Sequence, residues 1–414
     1  MTVDTTRTAA VVTGLGPVSA LGTGVESFWR ALLAGESGTR GLTRFTPPRR
    51  GCAVAAEVDD PPPLALDPAN PQPRSVQLAL AAARLALADA SLDADPERVG
   101  VVVGTGAGNL DLIEAALDQA RAGKRLAPSV AFRVFSHAAA CEIARSLDLR
   151  GPIATLTTGC NSGGDALGMA LDWIRLSRAD AVLVGGTEAE LSPSFFAIMG
   201  AARALAVQHN SAPASASRPF DQRRDGNIPG EGAAFLVLES AEHAARRRAR
   251  VRAAICGYAS RAAGDRPAYD PFNPAFLPEP MVRTIRGALA DAGITARDIS
   301  AISANGSSSV FYDVVEATAI AEVFGAEASR LPVHSIKAGL GQTGAVTPAL
   351  QAIAAVLTVE HGLIPPTPNV DELDPRCPLA IVRGEPLARP VEHVLAHAIG
   401  FGGYYFTAFV VGRA

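Results

Sequence analysis

Residues 153–164 read IATLTTGCNSGG, and the fold is inferred outward from this stretch. Its first part, Ile153–Thr157, has the β-branched and apolar composition of a buried strand. A glycine precedes Cys160 and two more follow it closely, which permits a sharp turn. The next residues, Gly163–Leu176, have the pattern of a helix. The stretch therefore predicts a strand that enters a helix through a tight turn, as in layered α/β proteins.

Similar elements recur along the chain. Short runs of Val, Ile and Ala predict buried strands at Ala9–Gly14, Val99–Gly104, Ala181–Gly186, Ala233–Glu239, Val251–Gly257, Ile299–Ala304, Pro332–Ile336, Val394–Ile399 and Tyr405–Val411. Further helices are predicted at Ser75–Ala90, with Ser75 as its cap, and at Met281–Ala292, Asp313–Phe324 and Val346–His361. The same order of elements occurs twice. This order predicts an α/β fold of two similar halves, residues 1–250 and 251–414.

Composition excludes several classes of protein. The chain has 414 residues, of which 48% are hydrophobic and 19% charged, so it can bury a large core. Its net charge of −4 argues against a nucleic-acid-binding protein. No apolar run approaches the roughly 20 residues that span a bilayer, and the first residues lack the pattern of a signal peptide. We therefore expect a soluble, cytoplasmic protein with neither nucleic acid nor a membrane among its partners.

The cysteines and glycines do not predict a metal or cofactor site. The five cysteines include no C-x-x-C pair, and neither they nor the seven histidines have the spacing of metal ligands. The glycine-rich segment Gly104–Gly108 lacks the G-x-G-x-x-G spacing of a dinucleotide loop. It is interpreted as a close-packed turn that leads toward a subunit interface. We expect no cofactor and no metal.

Cys160 is the candidate nucleophile. At the N-terminus of a helix, unpaired backbone N–H groups and the helix dipole favour the thiolate form of a cysteine. The same N–H groups can hold the oxygen of a thioester. The alternative is a buried, inert cysteine, which is the interpretation for Cys52, Cys141, Cys256 and Cys377.

Several motifs, in order along nearly the whole chain, resemble the β-ketoacyl-ACP synthase I/II family. This family includes the ketosynthase and chain-length-factor subunits of type II polyketide synthases. Besides the Cys160 turn, the motifs are Val11-Val12-Thr13-Gly14-Leu15-Gly16, Ser217-Arg218-Pro219-Phe220-Asp221, Arg224-Asp225-Gly226, Gly230-Glu231-Gly232, Ser335-Ile336-Lys337, Pro365-Pro366-Thr367-Pro368-Asn369 and Gly400-Phe401-Gly402-Gly403. The resemblance implies a thiolase-like, five-layered αβαβα fold, an obligate dimer, and acyl thioesters carried on acyl carrier protein.

The sequence departs from the pattern of an elongating synthase at two positions. The family uses a cysteine to take the acyl chain and two histidines to promote malonyl decarboxylation. Where the resemblance places these histidines, the chain has Asn305 and, five residues after the motif Lys337, Gln342. An amide cannot exchange protons near pH 7, so decarboxylative condensation by this chain alone is not expected. Cys160, Asn305, Lys337 and Gln342 are the predicted catalytic positions.

Other departures concern substrate binding and docking. The resemblance makes Phe401 a gate on the acyl pocket, beside Gly402, and places Asn227 where an aromatic residue is usual. These three residues are the predicted substrate-binding positions. Elongating members present several cations near the helix that begins at Ser75, whereas this chain has Arg74 alone there. Capture of an acidic carrier protein should therefore be slower.

Two functions remain open from the sequence. One is a non-elongating partner subunit, similar to a chain-length factor, in a heterodimer or homodimer with a ketosynthase-family chain. The other is an enzyme that loads an acyl chain on Cys160 and then transfers, hydrolyses or cyclises it without decarboxylation. The missing histidines favour the first function, and the retained cysteine favours the second.

Overall fold

The computed structural model of the protein describes residues 9–47, 51–59, 72–264 and 278–414. Sixteen strands lie in these ranges. Strands β1 to β8 are Ala10–Ser19, Gly22–Thr23, Arg40–Gly41, Val54–Ala55, Val99–Gly104, Ile153–Leu156, Ala181–Glu188 and Gly232–Glu239. Strands β9 to β16 are Ala253–Ala262, Ala301–Ser303, Pro332–His334, Leu363–Ile364, Ala380–Ile381, Leu387–Ala388, His393–Ile399 and Tyr405–Gly412.

The α-helices of the same ranges lie between these strands. Helices α1 to α6 are Val25–Leu33, Arg74–Ala90, Leu110–Arg121, Val130–Arg133, Ala138–Ser146 and Ser162–Arg175. Helices α7 to α12 are Pro193–Ala201, Ala241–Arg246, Glu279–Ala292, Tyr312–Phe324, Lys337–Leu340 and Thr347–His361. None of the described helices is long and apolar enough to cross a membrane.

One arrangement of strands occurs twice. In the first part of the chain the order across the sheet is β6-β5-β7-β8-β1, with β6, β5 and β7 parallel and the last two strands antiparallel. In the second part it is β11-β10-β15-β16-β9, with the same directions. Antiparallel pairing of β1 with β9 joins the two sets. The repeat of elements inferred from the sequence is therefore present as a repeat of topology, while the boundary at residue 250 stays a prediction.

Helices and strands alternate in five layers. Helices α2 and α5 cover one face of the first strand set, through side chains such as Leu78 and Ile143. Helices α6 and α12 lie between the two sets, where Leu171 and Ile353 belong to a common core. Helices α9 and α10 cover the outer face of the second set. The apolar residues of α12 are buried on nearly all its faces, because both strand sets pack against this helix.

Most of the predicted elements are confirmed. The long strands and helices begin and end close to the predicted residues, although β1 continues to Ser19 and β9 to Ala262. The predicted cap of α2 is wrong. Ser75 lies inside the helix, where its hydroxyl bonds Asn109, and Pro73 precedes the first turn. A proline before the helix supplies the required backbone angle without a side-chain cap.

Candidate active site

The turn around Cys160 is a short 3₁₀ helix, Gly159–Asn161, between β6 and α6. Gly159 has φ +59°, a conformation that glycine adopts without strain. The Ser162 hydroxyl accepts a hydrogen bond from the Thr158 amide (2.9 Å) and donates one to the Gly159 carbonyl (2.6 Å). These bonds close the turn, so the predicted geometry at Cys160 is present.

The predicted thiolate character of Cys160 is wrong. The pKa of its thiol is raised to about 11, chiefly because the site is shielded from water. The carboxylates of Glu190 and Glu188 raise this pKa further, whereas the Lys337 ammonium and the Phe401 amide lower it. Cys160 also lies in the 3₁₀ turn rather than in the first turn of α6. Desolvation and two nearby acids therefore outweigh the helix terminus.

Glu188 and Glu190 form a buried acidic pair at the carboxyl end of β7. Glu188 accepts hydrogen bonds from the Gly106 and Ala107 amides, at 2.6 and 3.2 Å. A hydrogen bond joins the two carboxyl groups. Burial raises the pKa of both acids, that of Glu188 to about 7, and the charge of Glu188 raises the pKa of Glu190 further. The glycine-rich turn after β5 thus binds a carboxylate of this chain rather than a phosphate.

Lys337 and Asn305 form the opposite side of the site. The Lys337 ammonium donates a hydrogen bond to Asn305 Oδ1 (2.8 Å), and the Ile399 amide donates to the same oxygen (3.2 Å). The loop at Asn305 is held by Glu316, which accepts the amides of Asn305 and Gly306 at 2.6 and 2.8 Å. Burial lowers the pKa of Lys337 to about 8.

A mostly apolar cavity of about 210 Å³ brings several of the predicted residues together. Of these, Cys160, Asn227, Gln342 and Phe401 line it. Asn227 Oδ1 and Gln342 Oε1 are buried and have no hydrogen-bond partner among the described residues. The cavity is also lined by Gly106, Ala107, Gly159, Glu190, Phe195, Met199, Leu205, Pro229 and Gly344.

Asn305 and Gly402 stand outside the wall of this cavity. Asn305 is 2% exposed and is committed to Lys337, while the Gly402 amide donates to the Tyr312 hydroxyl (3.0 Å) in the tight turn after β15. Gly402 has φ +86°, which this turn requires. The exposed ring of Phe401 lies at the cavity, and its backbone amide lies at Cys160. Of the two predicted substrate-binding residues in this turn, Phe401 therefore reaches the site and Gly402 does not.

Comparison with known proteins shows the family of the chain. The model of the β-ketoacyl synthase N-terminal domain matches residues 8–244, and that of the C-terminal domain matches residues 252–371. The chain belongs to the β-ketoacyl synthase family. It is 37% identical over 417 residues to the tetracenomycin polyketide synthase ketoacyl synthase alpha subunit of Streptomyces glaucescens, with 96% of each chain covered.

Solved structures of β-ketoacyl synthase family proteins have the same fold. The ishigamide ketosynthase/chain length factor matches with a TM-score of 0.90 and 35% identity, over 99% of this chain and 100% of that one. A ketosynthase in complex with its type II polyketide synthase acyl-carrier protein matches with a TM-score of 0.88 and 30% identity, over 98% and 100%. The protein is a ketosynthase-family subunit with the thiolase-like fold, similar to ketosynthase and chain-length-factor subunits.

Sequence reasoning missed three polar groups of this β-ketoacyl synthase site. Glu188 and Glu190 follow a buried strand that ends in two glycines, and acids at the carboxyl end of a parallel strand are a usable signal for a site. Tyr405 is the third: its side chain bonds Thr158 and lies beside Gly159. Nothing in its local pattern distinguishes Tyr405 from a core tyrosine.

Proposed function

We propose that the chain is a non-elongating ketosynthase-family subunit of acyl-carrier-protein-dependent type II polyketide or fatty-acid biosynthesis. It acts as a chain-length-factor-like partner of an active ketosynthase. The observation that carries this proposal is the state of the two amide positions. Asn305 is locked to Lys337, Gln342 faces the cavity as an amide, and no histidine of the described residues lines that cavity.

The two amides cannot supply the proton transfer that elongation needs. Malonyl decarboxylation is promoted by groups that stabilise an enolate and exchange protons near pH 7; an amide can donate a hydrogen bond to the enolate oxygen but cannot exchange protons. A positioned acid or base typically contributes 10²–10⁴-fold to a rate. With amides at both positions, elongation falls to the other subunit of a pair, and this chain shapes the acyl tunnel.

An exposed edge supports the pairing with a second ketosynthase-family chain. Strand β6 is the last strand of its sheet among the described residues, and Ile153 on it is 47% exposed. Phe132 and Phe135 are 77% and 57% exposed in the α4 segment. An unpaired edge with exposed aromatic residues nearby is suited to a protein interface. The partner in this proposal is a ketosynthase-family chain, and acyl carrier protein is the donor of the acyl group.

Docking of the carrier protein is weakened in this proposal. Arg74, the cation that begins α2, forms an ion pair with Glu231 through Nε (2.8 Å). It is therefore committed within the chain rather than presented as one of a basic cluster. A thin basic surface reduces electrostatic capture of an acidic partner and favours a subunit that does not load each extender unit.

A second function, acyl loading on Cys160, is favoured by one specific observation. The cavity reaches Cys160, and the Phe401 amide N–H is directed at its sulfur. An N–H in this place can stabilise the oxyanion formed when the sulfur attacks a thioester. The chain would then hold an acyl group and pass it on without decarboxylation.

Mass spectrometry with an acyl-carrier thioester separates the two functions. The protein, its Cys160→Ala variant and a Cys141→Ala control, which removes an exposed cysteine, are each incubated with the thioester. An acyl adduct that only Cys160→Ala abolishes establishes loading and rules out a purely structural partner. Absence of any adduct, with polyketide formed only when a second synthase is added, establishes the partner role. Condensation by the protein alone contradicts the non-elongating proposal.

A further inference from the structure

One cavity is lined by a thiol and by a carboxyl group that is hydrogen-bonded to a second carboxyl group. Glu190 and Cys160 line the same cavity. A methyl group on Gly344 would lie 3.2 Å from both Glu188 Oε2 and Glu190 Oε1, so the two carboxyl groups converge on one point. We propose that Glu190, held by Glu188, takes up the proton of Cys160 during acyl transfer and returns it to the leaving thiol. The inference rests on acyl loading, the second function above.

Backbone amides hold Glu188 rigidly. Three of them donate to its carboxylate, those of Gly106 (2.6 Å), Ala107 (3.2 Å) and Ala345 (3.4 Å). They come from the turn after β5 and from the turn before α12. Three N–H donors favour the charged form of a carboxylate and fix its position. Glu188 is therefore the positioning residue, and Glu190, on the cavity wall, is the group that reaches the reacting atoms.

The pair shares one proton near neutral pH. Two buried carboxyl groups joined by a hydrogen bond do not both ionise readily, and their protons leave in separate steps. The pKa of Glu188 lies at about 7 and that of Glu190 is raised as well. The charged groups that act on the Cys160 thiol are this pair and Lys337. A pair that titrates close to the working pH both accepts and donates protons efficiently.

This pair takes up and returns the proton that moves during the transfer. The sulfur of Cys160 attacks the thioester carbonyl carbon while its proton moves to Glu190, and the proton that Glu190 already holds passes along their hydrogen bond to Glu188. The carbonyl oxygen becomes an oxyanion beside the Phe401 N–H. As the intermediate collapses, the bond to the carrier thiol breaks, that sulfur receives a proton from Glu190, and Glu188 returns its proton to Glu190. An acyl group and a proton change places, and no other reactant is needed.

Neither Lys337 nor Tyr405 fits this role as well. The Lys337 ammonium is already a donor to Asn305, and an ammonium cannot accept a proton. Burial and the nearby Cys160 and Asp165 raise the pKa of Tyr405, so its hydroxyl stays protonated at neutral pH. The thiol, with a pKa near 11, requires a base, and the acidic pair is the base that shares its cavity.

Glu190→Gln tests the proposal because it keeps the shape of the side chain and removes its proton exchange. Glu97→Gln, at an exposed site, is the control for loss of one acid. Two rates are measured at Cys160: acylation by an acyl-carrier thioester, and alkylation by iodoacetamide. We expect acylation to fall about 100-fold, in the range typical of a lost acid or base, and its pH dependence near 7 to disappear. Alkylation should change little, because the pair carries one negative charge near neutral pH with or without the substitution, so the pKa of the thiol is nearly the same.

A fall in acylation without a fall in alkylation distinguishes loss of proton transfer from damage to the fold. Acylation by Glu190→Gln within threefold of the unsubstituted protein overturns the inference. An equal fall of acylation and alkylation also overturns it, because that result indicates a merely structural role for the pair. The same two rates are measured for Glu188→Gln, and the same outcomes apply. If the unsubstituted protein forms no adduct on Cys160, acyl loading itself has failed, and with it the role of Glu190.

Discussion

On the side of the cavity built before residue 250, Cys160 shares the cavity with Glu190, which is bonded to Glu188, and burial raises the pKa of both acids. On the side built after residue 250, the polar groups are Asn305, bonded to Lys337, and Gln342, an amide without a partner for its oxygen. The first side has two carboxyl groups near the thiol, whereas the amides of the second side do not exchange protons. The comparison predicts that thioester exchange on Cys160 and malonyl decarboxylation are separable in this chain, since the proton transfer proposed for thioester exchange uses groups of the first side.

The double variant Asn305→His with Gln342→His is the strongest way to remove this difference. Placing imidazoles at both positions should raise malonyl decarboxylation about 100-fold above that of the unsubstituted protein, within the range for positioned acid–base groups. Release of CO₂ from a malonyl-carrier thioester measures it. The single variants are the controls. A folded double variant that stays at the rate of the unsubstituted protein would show that other residues also prevent decarboxylation.

Buried groups on the two sides should also change the stability of the fold with pH in opposite directions. Burial lowers the pKa of His334 in β11 to about 4, from 6.5 when unfolded, and neither ring nitrogen has a partner among the described residues. The unfolded chain then binds more protons, so the free energy of unfolding falls by up to about 3 kcal/mol as the pH drops from 6.5 to 4. The raised pKa of Glu188 has the opposite sign, with stability lost as the pH rises from 4.5 to about 7.

Urea unfolding at pH 5 and pH 8 checks this opposition. His334→Leu should lose less stability at pH 5 than the unsubstituted protein does, and Glu188→Gln should lose less at pH 8. His137→Gln, at an exposed histidine, is the control. Equal pH dependence in His334→Leu and the unsubstituted protein would contradict the assigned role of His334.

Lys337→Met tests whether charge from the second side reaches the thiol. The chain has two lysines, and the exposed Lys124 provides the control Lys124→Met. Because the ammonium lowers the pKa of Cys160, its removal should raise that pKa and slow alkylation about 10-fold at pH 7, where Lys337 is still charged. Peptide mass spectrometry reads the label on Cys160 alone. If Lys337→Met is alkylated at a rate within twofold of that of Lys124→Met, the charge of Lys337 does not act on the thiol.

Gln342→Leu should have the smallest effect. The side chain is half-buried and its Oε1 lacks a partner, so an apolar replacement of similar size removes an unsatisfied oxygen. We expect the free energy of unfolding to rise by about 1 kcal/mol, measured by urea unfolding at pH 7. Asn305→Leu is the contrasting variant, because it leaves the buried Lys337 ammonium without its acceptor and must destabilise. Equal effects of the two replacements would mean that the two amides are equivalent.

Local pattern was sufficient for much of the fold. The alternation of apolar runs with helical segments placed β5 at Val99–Gly104 as the structure has it and α6 within a residue of its ends. Residues such as Ser75 were misassigned, because a serine near a helix start resembles a cap whether or not the helix begins one residue earlier. The Cys160 turn was predictable because its glycines and its neighbours are adjacent in the chain.

The sequence by itself determined the α/β class, the repeated order of elements, the turn at Cys160, and the amides at Asn305 and Gln342. Tertiary structure alone decided what these residues do. The pKa of Cys160 depends on burial and on Glu190, and Glu188 is held by Gly106, 82 residues away along the chain. Lys337 reaches Asn305 across 32 residues. Desolvation and charge act through space, so these effects follow from packing and not from the order of residues.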